Sequence, residues 1–190
     1  MRYDKYEKKG ACHWRQYTRD KSYRGLVEAS ILPFIPVPRG TLIDIGCGDG
    51  VPTCKLAEIN FDVTGVEIEP AGIEWAKKKC SNQLEWVCQS AEGFYEACVK
   101  NGRKFDYLYS LDVIEHLKDP KIMVKMMDLV NQFAVIITDD KDKMTIKEPN
   151  PYHNEEFTRD EFKKLFKDYW LEEVPLLDER FFGFKISKKV

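Results

Sequence analysis

Leu42-Ile-Asp-Ile-Gly-Cys-Gly-Asp-Gly50 is an apolar strand pattern that runs into three glycines, and a helical pattern follows from Val51. Glycine is required where a chain turns with positive φ, and where the backbone must approach a ligand with no Cβ in the way. A strand, a glycine loop and a helix in this order are typical of a nucleotide-binding cleft. A dinucleotide fingerprint G-x-G-x-x-G is excluded, because residue 51 is valine where the third glycine would stand.

Five short apolar segments, rich in β-branched and aromatic residues, alternate with longer helical patterns. Such segments are typical of buried parallel strands, and their alternation with helices predicts right-handed βαβ units. We therefore predict an α/β fold with a doubly wound sheet, helices on both faces and a ligand crevice at the carboxyl ends of the strands. One of the helices is predicted over Lys121–Gln132, with its methionines in the core. The predicted strands are Thr41–Ile45, Phe61–Ile68, Leu84–Cys88, Phe105–Tyr109 and Phe133–Thr138.

The last quarter of the chain has a different pattern. Thr158-Arg-Asp-Glu161 matches a capping box, and apolar residues at helical spacing after it predict a helix over Arg159–Tyr169. Two further strands are then expected to form an antiparallel hairpin, which makes the sheet seven-stranded and mostly parallel. These strands are Trp170–Leu177 and Arg180–Lys188, with a tight turn near Asp178 and Glu179.

The composition is that of a compact domain. The chain has 190 residues, a net charge of −2 and 43% apolar residues. No apolar run approaches the roughly 20 residues that span a bilayer, and the first residues lack the apolar core of a signal peptide. We expect a single cytoplasmic domain over residues 1–190, as a monomer or homodimer. The cysteines form no C-x-x-C pair and are interpreted as free, buried apolar residues: Cys12, Cys47, Cys54, Cys80, Cys88 and Cys98.

Two segments are expected to cover the crevice of the sheet core, which is assigned to residues 40–190. The first is the N-terminal cap, residues 1–39, whose first 25 residues hold eight basic and three acidic residues interleaved with tyrosine and tryptophan. This pattern favours a solvated amphipathic helix with aromatics packed on the domain, and its charge also suits an anionic substrate. The second is a polar loop over residues 139–157, of a length that is usually functional in compact domains.

Four motifs resemble those of the class I S-adenosylmethionine-dependent methyltransferases, in the expected order and spacing. The resemblance extends from about residue 40 to the C-terminus and implies a Rossmann-like sheet with S-adenosylmethionine (SAM) as the methyl donor and S-adenosylhomocysteine (SAH) as the product. Asp112–Leu117 and the tail His153–Phe162 look most like the small-molecule branch, which implies transfer to oxygen or nitrogen of a metabolite. The motifs are D-I-G-C-G-D-G (Asp44–Gly50), G-V-E-I-E (Gly65–Glu69), Q-S-A-E (Gln89–Glu92) and F-D-Y-L-Y-S-L-D-V-I-E-H-L (Phe105–Leu117).

The resemblance also implies a role for each motif residue. Glu67 ends a strand, where a carboxylate can accept two hydrogen bonds from the hydroxyls of a ribose. The other implied cofactor residues are Asp44, Gly46, Cys47, Gly48 and Gly50 at the glycine loop, Ile68, Ser90, Ala91 and Glu92 around the adenine, and Ser110, Leu111 and Asp112 along the methionyl group.

Two histidines are the candidate catalytic residues. A histidine near neutral pKa can remove the proton of a hydroxyl acceptor, whereas an amine acceptor needs no protein base. His116 and His153 are therefore candidate bases, although Asp112-x-x-Glu115 can also be a capping box with His116 as a structural residue. Contacts with a small-molecule acceptor are expected from Pro149, Tyr152 and the stretch Tyr17–Tyr23.

Two alternatives to a small-molecule enzyme are open. Some methyltransferases of RNA 2′-hydroxyl termini have a comparable acidic-histidine element that binds a divalent metal, and here Asp112, Glu115, His116 and His153 are comparable. The chain lacks the second close histidine of that pattern, and its pI near 6.0 is poor for binding phosphates. We therefore assign no metal ligand and expect no nucleic-acid or membrane partner. The second alternative is a non-catalytic scaffold that binds the cofactor.

Overall fold

The computed structural model describes residues 4–80, 84–143 and 152–189. Its seven strands are β1 (Thr41–Ile45), β2 (Asp62–Glu67), β3 (Glu85–Cys88), β4 (Phe105–Leu111), β5 (Val130–Asp139), β6 (Tyr169–Glu173) and β7 (Phe181–Lys188). They form one sheet in the order β3-β2-β1-β4-β5-β7-β6. The first five strands are parallel, and β7 pairs antiparallel with both β5 and β6. The predicted doubly wound α/β fold with antiparallel C-terminal strands is confirmed.

The helices begin at the signals seen in the sequence. Pro52 and Pro70 lie in first turns, where a missing amide hydrogen costs nothing. The Thr158 hydroxyl and the Glu161 carboxylate form the predicted capping box. None of the helices in the described part of the chain is both long and apolar enough to cross a membrane. The helices are α1 (Lys5–Lys9), α2 (Cys12–Arg19), α3 (Lys21–Ile31), α4 (Val51–Glu58), α5 (Pro70–Lys79), α6 (Ala91–Asn101), α7 (Lys121–Met126) and α8 (Arg159–Leu165).

The core consists of two apolar layers, one on each face of the sheet. Alternate residues of a strand point to opposite faces, so Tyr107 and Tyr109 join one layer while Leu108 joins the other. The layer with the tyrosines packs under α3 and α4, and the second layer packs under α6, α7 and α8. Both layers cover the middle of the sheet, and the carboxyl ends of the parallel strands remain accessible to a ligand.

Three predicted boundaries are wrong. The helix predicted over Lys121–Gln132 ends at Met126 and continues only as a 3-10 turn to Leu129. Strand β5 then begins at Val130, because that residue pairs with Phe105 of β4. The helix predicted over Arg159–Tyr169 ends at Leu165, and residues 174–180 form a longer connection than the predicted tight turn. At the ends of the two helices, pairing of Val130 and Tyr169 within the sheet overrides the local apolar spacing, whereas the pairing of β6 with β7 stops at Glu173.

The interpretation of the cysteines also needs correction. Cys54 of α4 and Cys80, at the end of α5, form a disulfide with their Cα atoms 5.7 Å apart. They are 26 residues apart, and their pairing depends on the packing of both α4 and α5 against β2. Cys88 is exposed, so the prediction of free buried thiols is correct only for Cys12, Cys47 and Cys98.

We expect reduction of this disulfide to lower thermal stability. A cross-link that closes a loop of this length contributes about 2–4 kcal/mol, mainly by restricting the unfolded chain. The melting temperature of the wild type should therefore fall by several degrees in dithiothreitol, and that of Cys54→Ala/Cys80→Ala should not respond. Cys88→Ser is the matched control and should respond as the wild type does. Equal melting curves with and without reductant would contradict the cross-link.

Candidate active site

A cavity of about 750 Å³ opens at the carboxyl ends of β1, β2 and β4. This is the position expected for a ligand site in an open parallel sheet. Its walls come from the glycine loop, from the ends of the strands and from the N-terminal cap. The residues central to the site are Lys5, Tyr6, His13, Tyr23, Asp44, Gly46, Cys47, Glu67, Ile68, Ser90, Ala91, Glu92, Leu111, Asp112, His116, Tyr152 and Asn154.

The glycine loop is held against β2 by its own backbone. The amides of Gly46 and Cys47 both donate to the Val66 carbonyl, at 2.8 and 3.0 Å. Gly46 and Gly48 have φ values of +76° and +56°, which only glycine adopts without strain. A Cβ on Gly46 would also overlap the Val113 side chain. The positive φ values and the close approach of Val113 explain why glycine stands at these positions of the sequence.

Asp44 connects β1 with the helix after the loop. Its carboxylate is buried and accepts a hydrogen bond from the Thr53 hydroxyl at 2.5 Å. Burial raises the pKa of Asp44 to about 7, because few polar groups compensate its charge. This contact fits the predicted role of Asp44 in ordering the loop.

Glu67 lies at the end of β2, with its carboxylate on the loop. Its Oε2 accepts from the Gly48 amide at 3.1 Å, and its Oε1 accepts from the Glu69 amide at 2.8 Å. Burial raises the pKa of Glu67, while these amide donors act against the rise. The two bonds fix the carboxylate at the cavity wall, and each oxygen retains a lone pair for a ligand hydroxyl.

The predicted adenine residues lie together on one side of the cavity. Ile68 is 59% exposed although it is a large apolar residue, which is the state expected of a side chain that packs on a flat ligand. Ser90 caps α6 through its hydroxyl, which accepts from the Gly93 amide at 3.1 Å. Ala91 and Glu92 follow in the first turn of that helix and line the same side.

The end of β4 turns abruptly at Asp112. This residue has a φ of +59°, which is rare outside glycine and marks a strained backbone that the surroundings hold in place. Its amide donates to the Ile137 carbonyl at 2.9 Å, and its side chain faces the cavity together with Leu111. Ser110 instead is buried in the sheet, where its hydroxyl donates to the Ile45 carbonyl at 3.0 Å.

The two candidate histidines are neighbours, with ring centroids 4.8 Å apart. His116 lines the cavity, and its Nδ1 lies 3.0 Å from the Tyr152 carbonyl oxygen, so this nitrogen carries a proton and Nε2 is the basic one. Burial lowers the pKa of His116 and favours the neutral ring. His153 lies behind His116, between Asp139 and Glu156 at 3.8 and 3.3 Å.

Acidic side chains surround the histidine pair. Glu115 is fully buried and accepts from the Thr138 hydroxyl at 2.9 Å. Burial and the adjacent Asp112 carboxylate raise the pKa of Glu115 well above its usual range, and burial also raises the pKa of Asp139 to about 7. The 3-10 turn Ile114–His116 has no side-chain cap, so the alternative of an Asp112-Glu115 capping box is wrong.

The N-terminal cap covers the cavity with side chains that sequence reasoning did not assign individually. The His13 amide donates to Asp49 Oδ2 at 2.9 Å, and the Glu7 amide donates to Glu69 Oε1 at 2.6 Å. These bonds fasten α1 and α2 to the ends of the glycine loop and of β2. The signal in the sequence was the alternation of basic and aromatic residues, but it does not show which of them face inward.

The predicted site residues thus fall into two groups. Most of the residues predicted to bind the cofactor line one cavity together with His116. Gly48, Gly50, Ser110 and His153 lie around that cavity instead of in its lining. Of the expected acceptor contacts, Tyr23 and Tyr152 line the cavity, Tyr17 hydrogen-bonds Glu28 away from its lining, and Pro149 is outside the described residues.

Solved structures with the same fold include methyltransferases. Magnesium protoporphyrin IX methyltransferase from Synechocystis PCC 6803 with bound SAM aligns with a TM-score of 0.71 at 16% identity, over 98% of this chain and 94% of that one. A protein from Pyrococcus horikoshii OT3 aligns with a TM-score of 0.70 at 16% identity over 100% of both chains. At sequence identities this low, the alignments show that the folds are similar and nothing about function.

Curated relatives match part of the chain at higher identity. Ubiquinone biosynthesis O-methyltransferase, mitochondrial, from Arabidopsis thaliana is 34% identical over 90 residues, which are 45% of this chain and 27% of the relative. Ubiquinone biosynthesis O-methyltransferase from Coxiella burnetii is 31% identical over 87 residues, which are 44% of this chain and 36% of the relative. The matched region thus spans about a quarter to a third of the relatives' length.

The family match covers far more of this chain. A family described as "Methyltransferase domain" matches residues 13–175, which include the glycine loop, Glu67, the end of β4 and both candidate histidines. The sheet order and the position of the cavity agree with that match. The chain therefore belongs to the methyltransferase domain family.

Proposed function

We propose that the protein transfers a methyl group from SAM to an oxygen or nitrogen of a small molecule. The observation that carries the proposal is the convergence of the glycine loop, the buried Glu67 carboxylate and His116 on one cavity. The glycine loop would receive the methionyl part of the donor and Glu67 the ribose hydroxyls. Ile68 and the first turn of α6 would hold the adenine.

The chemistry demanded of the protein is modest. SAM supplies a methyl group on a sulfonium, which is already activated for in-line displacement, so alignment supplies much of the acceleration. With a hydroxyl acceptor, the oxygen forms a bond to the methyl carbon while the bond from carbon to sulfur breaks. His116 Nε2 takes the hydroxyl proton, and the Tyr152 carbonyl oxygen keeps the ring in the required tautomer.

We infer an acceptor that is flat and largely apolar and carries one hydroxyl. The inference is supported by Tyr23, Leu26, Leu111, Tyr152 and Phe181, which contribute aromatic and aliphatic surface to the cavity lining. An acceptor that stacks on this surface would present its polar edge to His116. Support also comes from the curated relatives, which are O-methyltransferases.

Titration calorimetry with SAM and SAH tests the donor. We expect binding of both at micromolar concentrations, followed by SAH production when a panel of small hydroxyl, carboxyl and amine compounds is added. Binding of neither ligand would overturn the proposal. An adenine nucleotide such as ATP serves as the control, because it offers the same adenosine without the methionyl group.

The same proposal includes the organisation of the protein. We place residues 1–190 in one cytoplasmic domain, as a monomer or homodimer, with the N-terminal cap and the loop over residues 139–157 selecting the acceptor. Tyr152 and Asn154 support the role of that loop, since both line the cavity. The Cys54–Cys80 disulfide counts against a cytoplasmic location, because the thiols of cytoplasmic proteins are usually kept reduced. Whether these two cysteines are oxidised in protein isolated without reductant therefore tests the location.

A second candidate function is methyl transfer assisted by a divalent cation, as in the enzymes that modify RNA termini. One observation favours it: ligand atoms of Glu115, His116 and His153 lie within 4.8 Å of one another, and so do those of Asp112, Glu115 and Asp139. Glu115 Oε1 is buried, with no hydrogen-bond partner among the described residues. Carboxylate oxygens and imidazole nitrogens fit Mg²⁺ or Mn²⁺, which would orient an acceptor oxygen and lower the pKa of its proton.

The assay of SAH production distinguishes the two candidates when it is repeated with EDTA and with added Mg²⁺ or Mn²⁺. Metal-independent methyl transfer would support the small-molecule enzyme with a histidine base. A transfer rate that is lost in EDTA and restored by Mn²⁺ would establish the second candidate. Glu115→Gln should then lose the restoration by metal and keep SAH binding.

A further inference from the structure

Three side chains that can ligate a metal meet where the N-terminal cap contacts the glycine loop. Cys12 and His13 are the first two residues of α2, and Asp49 lies in the loop between β1 and α4. A cysteine sulfur, a ring nitrogen and a carboxylate oxygen, one from each residue, lie within 4.8 Å of one another. His13 lines the cavity, whereas Cys12 and Asp49 lie outside its lining. This group, Cys12, His13 and Asp49, is here called the clasp cluster.

Asp49 is the member of the clasp cluster that indicates a ligand. Its side chain is fully buried, and its Oδ2 accepts from the His13 amide at 2.9 Å. Its carbonyl oxygen accepts from Trp14 Nε1 at 2.8 Å, so the residue is held in place on two sides. The second carboxylate oxygen, Oδ1, is buried and has no hydrogen-bond partner in the part of the chain that the structure describes. A buried carboxylate oxygen without a donor is costly, and a bound cation would compensate that cost.

The distances in the clasp cluster suit a tetrahedral ion. His13 Nδ1 lies 3.5 Å from Asp49 Oδ1, which is too long for a strong hydrogen bond. Two ligands that each lie about 2.1 Å from a tetrahedral ion are about 3.4 Å apart, which is close to this separation. The buried Cys12 thiol supplies the third ligand. A fourth is available from water or from the Tyr6 hydroxyl oxygen, which lies 3.3 Å from the same ring nitrogen.

The types of ligand select the metal. A thiolate with an imidazole and a carboxylate is typical of Zn²⁺, whereas Mg²⁺ and Ca²⁺ prefer oxygen ligands alone. We propose that Cys12, His13 and Asp49 bind a zinc ion that fastens the N-terminal cap to the glycine loop. Binding releases the proton of the Cys12 thiol, because the thiolate is the ligand. The role of the ion is structural: it joins two segments 36 residues apart in the chain, and two of its three ligands lie outside the cavity lining.

Zinc binding has a consequence for the other ring nitrogen of His13. An ion on Nδ1 requires the ring proton on Nε2, and Nε2 lies 2.8 Å from the Lys5 ammonium. Two donors cannot share one hydrogen bond, so Lys5 has to turn away when the ion binds. Lys5→Met removes this competition and should tighten zinc binding. Weaker zinc binding by Lys5→Met would contradict an ion on Nδ1.

Cobalt substitution tests the clasp cluster in the absence of any methyl donor or acceptor. Co²⁺ occupies zinc sites, and a thiolate ligand gives it a near-ultraviolet charge-transfer band that oxygen and nitrogen ligands do not give. We expect the metal-free wild type to develop this band with Co²⁺ in thiol-free buffer. Zn²⁺ should remove the band at a single equivalent, and excess Mg²⁺ should not. Absence of the band in the wild type at saturating Co²⁺ would overturn the proposal without any variant.

Three variants assign the band to the clasp cluster. Cys12→Ser should lose it, and Zn²⁺ affinity should fall at least about 100-fold, because loss of an outer-shell partner alone costs about 10- to 100-fold. Cys88→Ser removes an exposed thiol and is the matched control, which should keep the band. Glu115→Gln should keep it as well, because the other groups of potential metal ligands found in the described residues contain no cysteine. A band that persists in Cys12→Ser would place the metal on another thiol and refute the site.

Discussion

His116→Ala should lower kcat for a hydroxyl acceptor about 10²- to 10⁴-fold, the usual contribution of a general base. The dissociation constant for SAH should stay within twofold, since the proposed cofactor contacts lie on the loop, Glu67 and α6. The reason is the geometry of the ring: its Nδ1 faces the Tyr152 carbonyl, which leaves Nε2 as the basic nitrogen at the cavity wall. The measurement is steady-state transfer in EDTA, combined with calorimetry of SAH.

Two further variants make this test specific. His116→Gln keeps a polar side chain of similar reach but cannot take a proton, so it should be as slow as His116→Ala. His153→Ala should have a smaller effect on kcat, because that ring packs behind His116 and is absent from the cavity lining. A kcat for His116→Gln close to that of the wild type would show that the base is elsewhere.

Glu67→Ala should weaken SAH binding by more than tenfold. The proposed bonds to the ribose hydroxyls have a charged acceptor, and such bonds contribute about 1.5 to 3 kcal/mol. The same carboxylate also accepts from the amides of Gly48 and Glu69, so its removal releases the glycine loop as well. Both effects lower the affinity, and calorimetry measures their sum.

The control for Glu67→Ala is Glu74→Ala, which removes an exposed carboxylate from α5 in the same region. It should leave SAH affinity unchanged. Glu67→Gln is intermediate, because its amide group must turn an N–H toward one of the two backbone donors. If Glu67→Ala binds SAH as tightly as the wild type does, the assignment of Glu67 to the ribose is refuted.

Much of the fold could be predicted because its signals are local. Short apolar runs, glycines at 46, 48 and 50 and the capping box at Thr158 each depend on a few neighbouring residues. The end of α7 could not be predicted in this way, because Val130 leaves the helical pattern to pair with Phe105 of β4. The Cys54–Cys80 disulfide was missed for the same reason, since these cysteines meet because α4 and α5 both pack against β2.

The order of strands and helices, the glycine loop and the position of Glu67 at a strand end could all be predicted from the amino-acid sequence. These features follow from backbone conformations and side-chain periodicities that act over a few residues. Packing of the whole chain is needed to show which residues of the N-terminal cap face the cavity, and that His116 lines the cavity while His153 lies behind it. Those choices depend on contacts between segments far apart in the chain, such as His13 with Asp49 and His116 with Tyr152, which no local pattern encodes.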